Sequence, residues 1–150
     1  MELFSPSLLD IFMRFGMALI LGTLLGIQRE YRGKAAGMRT YGLVTLGAAL
    51  FTYVSIFGFA NTAGSDPARV AANVVVGIGF LGAGLIIFRP DQQHIEGLTT
   101  AAGMWVAAGI GMACGTGMYE VAVIVTALAL FTLEVLGKIE VEKFRPSKKP

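Results

Sequence analysis

The sequence predicts an all-α fold, a polytopic membrane bundle of five transmembrane helices with the N-terminus outside and the C-terminus inside. Three observations carry that expectation. Only 15% of the 150 residues are charged and 55% are hydrophobic, against about 25% charged in a soluble domain, so most of the surface needs an apolar solvent. Five apolar runs approach the ~20 residues that cross a hydrocarbon core ~30 Å thick. The lysines and arginines gather at alternate ends of those runs. The same composition excludes disorder, and a single Cys114 excludes a disulfide scaffold. A net charge of +2 on so apolar a chain argues against nucleic acid as a partner, and leaves the lipid bilayer as the first one.

The runs extend from about Leu8 to Ile27, Tyr41 to Ala60, Val70 to Phe88, Leu98 to Gly115 and Met118 to Leu136. The second, third and fourth contain no Asp, Glu, Lys or Arg. Near the start, Pro6 and Glu2 provide no positively charged leader segment, so the first run reads as a retained span. Ser65-Asp66-Pro67 places a capping side chain before a proline in the first turn of the third helix, and Thr99-Thr100 is expected to cap the fourth in the same way. The fourth run is short and rich in Gly and Ala, which predicts a place inside the bundle, dependent on its neighbours. Residues 1–137 thus form one transmembrane domain, followed by a basic tail over 138–150.

Orientation follows from the positive-inside rule. Arg29, Arg32, Lys34 and Arg39 fall between spans one and two, Arg89 between three and four, and Lys138, Lys143, Arg145, Lys148 and Lys149 in the tail. The opposite side holds Arg69 as its only loop cation. That places the first group in the cytoplasm.

Twenty glycines are about twice the usual share. Gly22 and Gly26 form a GxxxG pair, and Gly103, Ala107, Gly111 and Gly115 form a small-residue ridge; both predict close helix contact, as do Gly79 and Gly82 in the third span. Such ridges also fit a homodimer. Gly77-Ile78-Gly79-Phe80-Leu81-Gly82 spells the dinucleotide-binding fingerprint, with Glu96 near the position of a ribose-binding acid. It lies mid-span, where no phosphate reaches the backbone, so the match is rejected. Gly109-Ile110-Gly111 echoes it in the next span, as an inverted repeat would.

Ionisable groups within spans are costly to keep. Asp10 and Arg14 stand at i,i+4 and can pair, with Asp66, Arg69 and Glu120 at the same outer level. The simpler account is a set of interfacial charges that neutralise one another; the sharper one is an acidic entrance for a divalent cation. Glu134 and Lys138 form a further i,i+4 pair. Asn73 is expected to bond across a helix interface, Trp105 to pack, and Tyr41 and Tyr119 to sit in the interfacial belt. His94 is the only histidine, so one chain builds no histidine metal site, and the metal question stays open. Cys114 reads as a small buried apolar residue. No Ser, His, Asp or Cys arrangement supports hydrolysis, and neither an enzyme nor a cofactor is expected.

Several segments together resemble the membrane domain of the MgtC/SapB family: Gly26-x-x-Arg29-Glu30, Gly33, Ala36-Gly37-Met38-Arg39-Thr40, Leu43-Val44-x-x-Gly47-Ala48-Ala49-Leu50-Phe51, Asp66-Pro67-x-Arg69-Val70-Ala71, Gly77 to Gly84 as Gly-Ile-Gly-Phe-Leu-Gly-Ala-Gly, and Gly97-Leu98-Thr99-Thr100-Ala101-Ala102-x-x-Trp105. The resemblance covers residues 15 to 120, with Gln28 where many members have Glu. It implies a bacterial inner-membrane protein with four or five spans. It implies a non-enzymatic role in magnesium or phosphate-energy balance, including adaptation to low magnesium and survival inside host cells, exerted through another integral membrane protein. The best-known members add a soluble C-terminal domain, which this chain, stopping at Pro150, is expected to lack. The alternative function is a small oligomeric transporter or channel for Mg2+ or another ion. On the predicted topology Arg29, Glu30, Arg39, Thr40, Thr99 and Thr100 gather at the cytoplasmic ends of spans one, two and four. The free amides of the fourth helix start there too, which makes the cluster a candidate anion or partner site.

Overall fold

The computed structural model describes residues 7–60, 62, 64–90 and 94–138, so Glu2, Pro6 and the tail beyond Lys138 lie outside it. Five α-helices follow in order: α1 (Leu8–Tyr31), α2 (Met38–Tyr53), α3 (Pro67–Ala83), α4 (Leu98–Thr116) and α5 (Tyr119–Phe131). α2 and α5 each run on into one wider π-helical turn, Val54–Gly58 and Thr132–Leu136. With those turns α2 and α5 join α1 and α4 as four helices long and apolar enough to cross a membrane.

Local chemistry sets the helix ends. Ser7 Oγ accepts the amide of Asp10 at 3.1 Å, and Asp66 Oδ1 accepts that of Ala68 at 2.9 Å with Pro67 in the first turn, as the sequence predicts. Thr99 and Thr100 do not cap α4. Its cap is Gly97, at φ +92°, and no side chain bonds the first amides. A Cβ on Gly97 would overlap the carbonyl of Leu85, so that close approach admits only glycine.

The third run is the one the structure shortens. α3 stops at Ala83 after 17 residues, and Gly84 caps it. Ile87–Arg89 (β1) then pairs antiparallel with His94–Glu96 (β2), with Phe88 opposite Ile95. Two things favour extended backbone here: the β-branched Ile86-Ile87 pair, and Pro90, which steers Arg89 away from helical angles. The hairpin leaves the all-α class intact.

α4 lies inside, as its composition predicts, with Thr100, Met104, Ala107, Ala108, Ile110, Gly111, Cys114 and Gly115 buried. α2 is held between α1 and α4. A Cβ on Gly22 would strike Thr45, and one on Gly26 would come within 2.5 Å of Met38 Cα. From the other side, Gly103 meets the Tyr41 hydroxyl, Gly111 the Thr45 carbonyl and Gly115 the Ala49 carbonyl. These contacts replace hydrophobic attraction, which is absent between helices in lipid, with close backbone packing. Thr45 turns its hydroxyl back onto the carbonyls of Tyr41 and Gly42, so it needs no partner on another helix.

Four packing expectations need correction. Gly79 faces open space, with nothing within 4 Å of a Cβ placed there, whereas Gly82 is buried against Ala101 of α4, as expected, with Ala101 Cβ 3.6 Å from where its own would lie. Asn73 is exposed and donates to the Arg69 carbonyl of its own helix at 2.9 Å, satisfying itself without a second helix. Trp105 is 58% exposed and points outward. Tyr41 is fully buried rather than interfacial, because Gly103 leaves a space that its ring and hydroxyl fill.

Candidate functional site

The charged side chains collect at the two ends of the bundle. At the Ser7 end, Arg14 Nε donates to Asp10 Oδ2 at 2.7 Å and Nη1 to the carbonyl of Gly115 at 2.7 Å, while the guanidinium lies 5.3 Å from the Phe57 ring centre. Gly115 is in the last turn of α4, where carbonyls lack helical partners and the dipole is negative, so a cation belongs there. Ser55 Oγ donates to the Pro67 carbonyl at 2.7 Å and ties the end of α2 to the start of α3. Arg69 and Glu120 are exposed, and Asp66 is engaged as a cap. Asp10 and Arg14 therefore pair, as the simpler account holds. Among the described residues, no three His, Cys, Asp or Glu side chains gather to hold a metal ion.

The opposite end divides the predicted cluster into three parts. Arg29 is 4% exposed, and its Nη2 donates to Thr100 Oγ1 at 2.6 Å. The Tyr41 hydroxyl donates to the Thr100 carbonyl at 3.3 Å, so one threonine joins α1, α2 and α4. Arg29 Nε is buried with no partner among the described residues. A guanidinium at a helix N-terminus opposes the dipole, so this lock costs more electrostatically than the Arg14 contact. Glu30, by contrast, accepts the amide of Met38 at 3.1 Å and closes the α1–α2 turn, its carboxylate lying against Gly37.

Arg39 and Thr40 form the third part. Both are exposed, on the far side of α2 from Arg29, and they line one end of a groove of about 830 Å3 between α2 and α3. The groove continues past Leu43, Val74 and Leu81, with Ala108 of α4 at its floor. Thr99 is exposed at the start of α4. Arg29 and Arg39 thus do not converge on one anion.

A charge network escaped the sequence reading. Glu134 pairs with Lys138 at 2.8 Å as predicted, and also with Arg32 at 2.6 Å, while Gln28 donates to its second oxygen at 3.2 Å. The hydrogen bond and charge of Glu134 push the Arg32 guanidinium pKa above its usual value. Across the hairpin Arg89 meets Glu96 at 3.0 Å. Gln28 and Arg32 are visible in the sequence as polar residues near an inner end. Their partner on α5 is set by helix rotation, which residue spacing in one helix does not report.

Comparison with known proteins identifies the lineage. The model of the family described as "MgtC family" matches residues 15–142. A relative from Escherichia coli K12, named "Putative magnesium transporter YhiD", is 45% identical over 135 residues, covering 87% of this chain and 62% of the relative. An uncharacterized protein of Haemophilus influenzae is 37% identical over 137 residues, covering 87% of this chain and 57% of its own length. Protein MgtC of Salmonella typhimurium is 44% identical over 88 residues, 59% of this chain and 36% of that protein. The chain thus spans about three-fifths of the first two relatives. No solved structure matches. The four long apolar helices and these relatives describe a multi-pass membrane protein, and the match over residues 15–142 shows that the chain belongs to the MgtC family.

Proposed function

We propose that this chain is a non-enzymatic regulator in the bacterial inner membrane, acting on magnesium or phosphate-energy balance through a second integral membrane protein. The family and the magnesium in the name of the relative YhiD support the magnesium link. The observation that favours regulation over conduction by one chain is the closed interior. Along α2 the backbones and side chains of α1 and α4 meet at Gly22, Gly26, Gly103, Gly111 and Gly115 with no space for a methyl group. A path for a hydrated ion between those helices would have to separate all five contacts. The orientation is N-out and C-in, supported by Arg29, Arg32, Lys34, Arg39 and Arg89 gathering at one end of the bundle.

Magnesium entry into sealed proteoliposomes of the folded chain tests this reading. Entry no faster than in protein-free vesicles is the expected result. Saturable entry that falls in Asp10→Asn and Glu120→Gln would overturn it, in favour of a small oligomeric transporter whose outer acids admit the ion. That second reading is favoured by the name given to YhiD and by the open side of α2, where a second copy has room to complete a path.

A further inference from the structure

The groove between α2 and α3 differs from the smaller one between α1 and α5, where Arg32 at the mouth is paired with Glu134. Its walls are apolar except for Asn73, whose amide is turned onto the Arg69 carbonyl, yet it begins at an exposed cation, Arg39, which makes no ion pair among the described residues. Its glycines serve no packing purpose. Gly47 on α2 and Gly77 on α3 line it, and nothing lies within 4 Å of a Cβ placed on either. Side chains at those positions would narrow the groove, so the two glycines keep it wide.

We propose that this groove is a binding site for one anionic phospholipid, with the phosphate at Arg39 and Thr40 and an acyl chain along Leu43, Val44, Val74 and Leu81. Three observations select that occupant. The first is charge: Arg39 presents a guanidinium and Thr40 a hydroxyl at the mouth, a pairing suited to a phosphodiester. The second is the start of α2. Its cap, Gly37, contributes no side chain, and Glu30 takes up the Met38 amide alone, so the Arg39 and Thr40 amides belong to a first turn without helical acceptors. The third is length. From Arg39 to Phe51, also in the lining, α2 rises roughly 18 Å, about one leaflet of a hydrocarbon core ~30 Å thick. A partner helix would cross both leaflets and need no cation at one mouth. A lipid chain hung from its headgroup fills one leaflet and stops.

The basic residues near Arg39 assign the site to the cytoplasmic leaflet. The volume of about 830 Å3 is that of a ligand cleft rather than of a crevice between side chains. Occupancy would also join α3 to the rest of the bundle at a place where protein atoms do not.

The test is native mass spectrometry of the full chain, delipidated in mild detergent and offered phosphatidylglycerol and phosphatidylcholine with the same acyl chains. The parent should retain phosphatidylglycerol about tenfold over phosphatidylcholine, the size of one charge-assisted contact. Arg39→Gln should bring the two lipids to parity, while Gly77→Leu, which fills the groove and leaves the charge, should lose both. Both positions are exposed, and the same unfolding temperature as the parent shows that each variant folds. Parity of the two lipids in the parent, or retention unchanged in both variants, would overturn the proposal. So would glycerol 3-phosphate binding as tightly as the lipid, which would make the site one for a soluble phosphate. A photo-crosslinker at Leu81 capturing a second copy of the chain instead of lipid would overturn it as well.

Discussion

The two sides of α2 are built from the same residue types to opposite ends. Toward α1 and α4 it meets glycines that bring backbone against backbone, and a Cβ at Gly111 would collide with the Thr45 carbonyl. Toward α3 it offers Gly47, which with Gly77 opposite has nothing within 4 Å of the missing side chain. One set of glycines removes space and the other preserves it. A small residue in a membrane helix is therefore not by itself evidence of a contact.

Substitution of these glycines gives the largest expected difference. Gly111→Leu should leave no folded protein after extraction into mild detergent, and Gly111→Ala should lower unfolding stability by about 1–3 kcal/mol, the cost of overpacking. Gly47→Ala and Gly77→Ala should stay within about 0.5 kcal/mol of the parent in the same thermal unfolding series. Equal losses on both sides would erase the distinction between them.

A smaller effect on the closed side tests the lock at its end. Thr100→Val removes the acceptor of a buried guanidinium, and a bond to a charged group contributes about 1.5–3 kcal/mol. Thermal unfolding should show that loss, and Thr100→Ser, which keeps the hydroxyl, should restore most of it. A Val variant as stable as the parent would mean that Arg29 finds another acceptor.

Arg32→Gln should have the smallest effect. Its partner Glu134 keeps Lys138 and Gln28, and both partners are more than two-fifths exposed. The parent and variant should converge in unfolding temperature as salt is raised, because solvent screens such a pair. A gap that persists at high salt would show that Arg32 stabilises the α1–α5 contact by packing rather than by charge.

Much of the architecture is legible in the residues, and what is not has a common cause. Apolar runs mark five helices, and the Gly103–Gly115 ridge marks α4 as the central one, because helix period and small side chains are properties of a single segment. The end of α3 is harder: Ile86-Ile87-Phe88 is as apolar as the helix before it, and only its β-branching and Pro90 separate strand from span. Of the candidate site, Arg29 with Thr100 and Asp10 with Arg14 stand where spacing and topology place them. Arg39 does not join Arg29, since ten residues of helix and turn reverse the face it occupies. Trp105, Gly79 and the Arg32–Glu134 pair depend on how each helix is rotated against its neighbours. The groove is an absence of atoms, and no residue spells it.

The two arginines of α1 have a mechanical consequence. Arg14 holds the last turn of α4 at Gly115 and Arg29 holds its first turn at Thr100, so the two rods are pinned to each other at both tips. Sliding one along the other would break both pins together, and shear of that kind is denied to this pair. α3 is seated less tightly, with its groove along one flank and an outward side that carries Val76 and Phe80, 72% and 82% exposed. Any signal crossing the bilayer through this chain would then travel as a tilt of the loosely seated lever against a fixed post.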